Sequence, residues 1–288
     1  MSLIEKFTFS DIKQSLYHYT GVGSLVGIAQ SQSLWATHIS YLNDSKELIH
    51  ACEIFLKCIS IKLETGSFSI EETNFLNQLG KWVNSTSKTT PQLFVFSLSE
   101  EPCLLSQWRS YTPHGKGLCL EFSPDKIIEL LSKSSLSLVK CKYNWEHQQI
   151  TINSLIEELL NSFKTQAPKA SSNRHIAECY YDYIGSFYDE IYFILASIKD
   201  EAFREEKEWR FLIKLQEDLT NEKLKFREGS SMISPYTEIK LHSKPYFESI
   251  TLGPSPHSNL SFSSLCMLTT NKNLCRCVKN SSIPYREW

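Results

Sequence analysis

Glu208-Trp209-Arg210-Phe211-Leu212-Ile213 alternates large apolar residues with charged or aliphatic ones, which is the period of a β-strand. Trp209, Phe211 and Ile213 are expected to enter a core, while Glu208, Arg210 and Leu212 share the opposite face. A carboxylate at the mouth of such a strand is held by a rigid element, as an acid–base or cation-stabilising group requires. The alternative is that Glu205, Glu206, Lys207 and Glu208 form a solvated charge run with Arg210 as an ion-pair partner.

Working outward, other short apolar or aromatic runs bounded by turn residues read as strands: 16–20 (LYHYT), 34–38, 93–98 (LFVFSL), 117–122 (GLCLEF), 136–143, 237–241, 247–252 and 274–278. Helical spacing marks other segments. Leu25, Val26, Ile28 and Ala29 form the apolar side of a first helix. Leu48, Cys52, Phe55 and Ile59 recur in a second, with Asp44 and Glu47 in a capping-box arrangement. Phe75, Leu76, Leu79 and Trp82 mark a third helix over about 70–83, and a helical turn is expected over 104–111. Ser123-Pro124-Asp125 places proline at the first helical position of a further helix. Residues 145–199 are helical in pattern throughout, and a last helix is expected over 258–268.

Irregular alternation of strands and helices, with a helical block between strands, predicts an α+β fold rather than a doubly wound parallel sheet. No linker rich in Gly, Ser or Pro is visible. The expectation is one domain, 1–288, with a helical insertion at about 145–200.

A chain of 288 residues can bury a core without disulfides or metal. Lys and Arg number 30 against 32 Asp and Glu, a formal net charge of −2, and this argues against a protein whose main task is to coat nucleic acid or an anionic membrane. The longest apolar stretch, 191–198, is far short of the roughly 20 residues that span a bilayer. The opening MSLIEKFTFS has no apolar signal region. A soluble cytoplasmic protein without a membrane partner is therefore expected. The nine cysteines are scattered, form no CxxC pair and read as buried free thiols rather than a metal site.

Several residues could carry chemistry. His18 sits among Tyr17, Tyr19 and Thr20, where an imidazole could bond a ribose or phosphate, or be a satisfied core histidine. Ser97 and Ser99 end an apolar strand. Trp108 and Tyr111 share a face of a helical turn and could hold a flat ring, with Arg109 meeting a phosphate; the alternative is packing of Trp108 with Leu104 and Leu105. The glycines of Gly21-Val22-Gly23-Ser24-Leu25-Val26-Gly27 miss the dinucleotide-fold spacing, and no HExxH, P-loop or GxSxG sequence occurs.

Taken in order, LYHYT, GSLVGIAQSQSLWAT, SYLNDSKE, FVFSLSE, LLSQWRSYTPHGKGLCLEF and EEKEWRFLI, with FESITLGPSP and IPYREW at the end, resemble a bacterial family, domain of unknown function twenty-nine seventy-one. Residues 126–199 carry little of that pattern. LYHYT followed by a short helix and Leu34-Trp35 is also similar to the opening of the DarT-type ADP-ribosyltransferases. That second resemblance implies a split antiparallel β core that grips NAD, as substrate and without metal. It implies His18 on the first strand, bonding the adenosine ribose, with Tyr19 beside it. It further implies Ser97 or Ser99 on the second strand, Trp108 or Tyr111 as the nicotinamide platform with Arg109 nearby, and Glu208 as catalytic glutamate.

The implied function is transfer of ADP-ribose from NAD to an unidentified protein or nucleic-acid acceptor, in a toxin or antiphage-defence setting with an antitoxin or sensor as possible partner. Two alternatives are open on the same pocket: an NAD glycohydrolase, and a non-catalytic nucleotide-binding or sensor module.

Overall fold

The computed structural model describes residues 12–42, 47–86, 91–166, 168, 175–215, 222–229 and 231–283. Strand β1 (Leu16–Gly21) leads through helix α1 (Val22–Ser31) to β2 (Ser33–His38). Helices α2 (Glu47–Thr65) and α3 (Ile70–Thr86) precede β3 (Leu93–Ser99). Next come α4 (Leu105–Tyr111), β4 (Gly117–Phe122), α5 (Pro124–Lys133) and β5 (Ser137–Lys140). Helices α6 (Trp145–Gln166), α7 (Ile176–Gly185) and α8 (Tyr188–Leu195) follow, then β6 (Glu208–Lys214), β7 (Lys225–Glu228), β8 (Ile233–Lys240) and β9 (Phe247–Leu252). Helix α9 (Ser258–Lys272) and β10 (Cys275–Asn280) end the described chain. The fold is α+β, with a ten-stranded, mostly antiparallel sheet. β10 beside β9 is a parallel pair.

The described residues divide into two compact units, one within 38–93 and 141–204, the other within 12–37, 94–140 and 205–283. The first unit is helical. Phe75 stacks on Phe163 at 4.3 Å, and Cys52, Phe55, Leu76, Leu79, Leu155 and Leu159 are buried around them. Its 141–204 segment closes on itself: Lys142 N–H donates to the Ser197 carbonyl (2.7 Å), and the Gln148 amide donates to the carbonyls of Lys142 (2.8 Å) and Lys199 (2.9 Å). The helical block expected at 145–200 is thus present, and the helices of 47–86 lie in the same unit with it. Asp44, expected to cap α2, lies outside the described residues.

The second unit carries the sheet. Its core is the apolar side of the strands, including Leu16, Leu34, Phe94, Phe96, Leu120, Phe122, Phe247 and Ile250, covered by Leu25 of α1 and Ile127 of α5. Trp209, Phe211 and Ile213 of β6 enter this core as their alternation requires. The opposite face of β6 is buried too: Glu208, Arg210 and Leu212 are 5%, 1% and 0% exposed, so the charge run does not continue into the strand as a solvated face. Proline at the start of α5 follows Ser123 in extended backbone, as read from the sequence. β7 is an element without an apolar signal. Its Lys-Phe-Arg-Glu sequence is held to β8 by four register pairs, Lys225↔Tyr236 to Glu228↔Ile233, at the edge of the sheet. Not all thiols are buried, since Cys103 and Cys277 are exposed.

β1 pairs with β4 along its whole length, from Leu16↔Phe122 to Gly21↔Gly117. With β3 it shares the register pair Tyr17↔Ser99. Among the described residues no further backbone register joins those two strands, and the His18 side chain bonds β3 instead. The fork between β1 and β3 is where the pocket lies.

Candidate functional site

An open pocket, about 370 Å³ with the solvent at its mouth included, lies within the second unit. β1 contributes Tyr17, His18 and Tyr19, β3 contributes Ser97, Leu98 and Ser99, and α4 contributes Gln107 and Tyr111. The start of β6 and the turn before it add Glu208 and Glu206. His18 and Glu208, 190 residues apart in sequence, therefore line one hollow.

The His18 ring stacks on Phe96 with centroids 4.2 Å apart, and its Nδ1 lies 2.9 Å from the Ser97 carbonyl oxygen. A carbonyl only accepts, so Nδ1 carries the proton. Burial lowers the His18 pKa to about 4; the Ser97 carbonyl works against this and the Arg227 charge adds to it. The imidazole is consequently neutral near pH 7, and its Nε2 is an acceptor suited to a hydroxyl group.

Glu208 and Arg210 project to the same face of β6, two residues apart. Arg210 Nε donates to Glu208 Oε1 at 3.0 Å and Nη2 to Oε2 at 2.9 Å, a two-point pair with both side chains almost out of solvent. The guanidinium offsets the cost of burying the carboxylate.

Hydroxyl groups fix the frame around these two residues. The Tyr19 hydroxyl donates to the Glu101 carbonyl (2.7 Å) and accepts from Leu104 N–H (3.0 Å), clamping the loop after β3. Burial raises the Tyr19 pKa far above the usual phenol range. Ser99 Oγ donates to the Glu206 carbonyl (2.7 Å) and accepts from Glu101 N–H (3.1 Å). The Tyr111 hydroxyl donates to Glu206 Oε1 at 2.7 Å. Between the two glutamates, Lys207 has φ +42°, a left-handed conformation that costs energy for a side-chain-bearing residue. Its carbonyl accepts Glu100 N–H at 3.2 Å, and its ammonium pairs with Glu101. This turn lets residues 206 and 208 both reach the pocket.

Of the residues expected from sequence, His18, Tyr19, Ser97, Ser99, Tyr111 and Glu208 line the pocket. Trp108 does not. It is 4% exposed and packs edge-on against Tyr19 with centroids 5.0 Å apart. It also lies so close to the backbone that a Cβ on Gly253 would come within 2.5 Å of its ring. The packing alternative holds for Trp108, with Tyr19 and Cys119 as its buried neighbours. Arg109, on the exposed side of α4, is not part of the lining either.

Sequence reasoning did not single out Tyr17, Leu98, Gln107 or Glu206 as pocket residues. Tyr17 sits beside His18 and carried a local signal, whereas Glu206 was indistinguishable from the charge run around it. Among the described residues no cluster of His, Cys, Asp and Glu could hold a metal ion, and no helix is long and apolar enough to cross a membrane.

Residues 107–211 match the family described as protein of unknown function (DUF2971). Over that stretch the chain is similar to this family. The matched stretch starts at Gln107 and ends inside β6, so it contains Tyr111, Glu206 and Glu208, and it runs through 126–199, where the sequence motifs are sparse. No curated protein and no solved structure matches this chain.

Proposed function

We propose that the protein consumes NAD, taking the nicotinamide riboside end into this pocket and passing ADP-ribose to a macromolecular acceptor. The observation that carries the reading is the meeting of His18 and Glu208 in one pocket, at the fork between β1 and β3. Aromatic walls from Tyr17 and Tyr111 suit a flat ring, and the Tyr111 ring is held by its bond to Glu206. The hollow is small and open, so it takes one end of the ligand rather than a whole dinucleotide.

The chemistry follows from those groups. When the bond between nicotinamide nitrogen and ribosyl C1′ breaks, the electron pair leaves with the ring and positive charge develops at C1′. The fixed Glu208 carboxylate stabilises that charge more than it stabilises bound NAD, which is the condition for rate acceleration. Neutral His18 accepts a hydrogen bond from a ribose hydroxyl through Nε2. The acceptor nucleophile then bonds C1′ and releases its proton. Incubating the purified protein with labelled NAD and either nucleic acid or cell extract tests the reading. A labelled, mass-shifted acceptor supports transfer, and free ADP-ribose alone supports the glycohydrolase form.

A second reading, a nucleotide-binding module without turnover, is favoured by one feature: each carboxylate oxygen of Glu208 is already held by Arg210. It predicts saturable NAD binding with no release of nicotinamide.

A further inference from the structure

The pocket leaves the remainder of a dinucleotide to be accommodated outside it. On the face of the sheet that carries Trp35, a half-buried cation, Arg227, is held by a hydroxyl and an aromatic ring. Arg227 starts on the edge strand β7, opposite Ser234 of β8. Its Nη2 reaches across β8 to donate to Thr37 Oγ1 on β2 at 2.8 Å. β2 is next to β3, which carries Ser97 and Ser99 of the pocket wall, so the guanidinium is directed along the sheet toward the pocket. The guanidinium carbon lies 5.7 Å from the Trp35 ring centroid, and that ring leans on Tyr236 at 4.6 Å while staying 38% exposed.

Among the described residues no carboxylate pairs with Arg227. A half-buried guanidinium without a counter-charge is costly unless an anion completes it. Its neighbours on that face do not remove the imbalance: Lys225 and Lys240 share the single carboxylate of Glu238, at 2.9 and 2.8 Å. Three cations thus stand against one acid beside an exposed aromatic ring. The Arg227 charge is also felt at His18, where it acts with burial to disfavour the imidazolium, so the two groups share one electrostatic neighbourhood.

We propose that Arg227 is the phosphate-binding residue of an extension of the pocket along β2, with the exposed Trp35 ring as the wall for the adjoining base. A guanidinium presents paired N–H donors that match phosphate oxygens, and its partial burial strengthens those bonds. The ligand class is a nucleoside diphosphate unit. The assignment rests on the reading of the pocket as a dinucleotide site, and it gives the second half of the ligand a place.

Titration calorimetry with ADP and with adenosine tests it on the full chain. The wild type should bind ADP. Arg227→Gln should weaken ADP binding roughly tenfold or more while leaving adenosine binding unchanged, and Arg227→Lys should restore part of the loss. Trp35→Ala should weaken both ligands. No ADP binding by the wild type, unchanged ADP binding by Arg227→Gln, or an equal loss of ADP and adenosine would overturn the proposal. Nicotinamide release is read separately. ADP binding that depends on Arg227 without any release from NAD sinks the transferase reading and keeps the phosphate site; release with Arg227-independent ADP binding does the reverse.

Discussion

Glu208 and Arg210 form a two-point ion pair on β6, Nε to Oε1 at 3.0 Å and Nη2 to Oε2 at 2.9 Å, with 5% and 1% of the residues exposed. Strand geometry puts them on one face, where each answers the other's buried charge. Arg210→Met should therefore destabilise the fold by about 3–5 kcal/mol, because it leaves a carboxylate buried without its counter-ion. Urea unfolding reads this directly. A loss within experimental error of zero would mean that the pair does not hold the β6 side of the pocket.

Burial holds the His18 pKa at about 4, against an ordinary value of 6.5. A histidine whose folded pKa is depressed binds its proton more readily in the unfolded chain. Its contribution is fully present above about pH 6.5 and is lost as pH falls through about 4. Stability measured between pH 7 and 4 should fall for the wild type by more than for His18→Gln. An NMR titration of the His18 ring with a midpoint near 6.5 would contradict the buried, neutral imidazole.

Trp108 is a packing residue, and its substitution should act on stability before it acts on any ligand. Trp108→Ala is expected to cost about 3–5 kcal/mol. Gly253→Ala should also destabilise, since its Cβ would press on the same ring. Thermal melting of both variants, set beside unaltered NAD affinity in the milder Trp108→Phe, checks this. A Trp108→Phe chain that melts as wild type but no longer binds NAD would return Trp108 to the ligand.

Tyr111 has the opposite character: its ring lines the pocket, and its hydroxyl is tied to Glu206 at 2.7 Å. Tyr111→Ala should raise the KM for NAD with a smaller effect on kcat, whereas Tyr111→Phe, which keeps the ring, should stay within a few-fold of wild type. Steady-state kinetics separates the two.

Much of this architecture is legible in the sequence because apolar periodicity reports burial. Trp209, Phe211 and Ile213 announce a core strand, and the run from Trp145 onward announces helices. The parts that escape are those whose signals are not apolar. β7 is Lys-Phe-Arg-Glu, held by backbone pairing at a sheet edge, so no alternation marks it and Arg227 goes unnoticed. Glu206 belongs to a charge run until the left-handed Lys207 turns it toward the pocket. Trp108 misleads for another reason. Helical spacing places it on a face with Tyr111, but the close approach of Gly117 and Gly253 that encloses it is a tertiary contact without a local trace. The meeting of His18 and Glu208 likewise depends on how β1 and β6 are brought to β3, which no spacing encodes.

The most direct measurement is nicotinamide release from NAD by wild type and Glu208→Gln under saturating NAD, with cell extract present as a source of acceptor and NAD affinity measured in parallel. The carboxylate is assigned to a charge that exists only as the bond breaks, so the variant should bind NAD within a few-fold of wild type and release nicotinamide roughly a hundredfold or more slowly. Equal rates from the two proteins, or no release from either, would contradict the account.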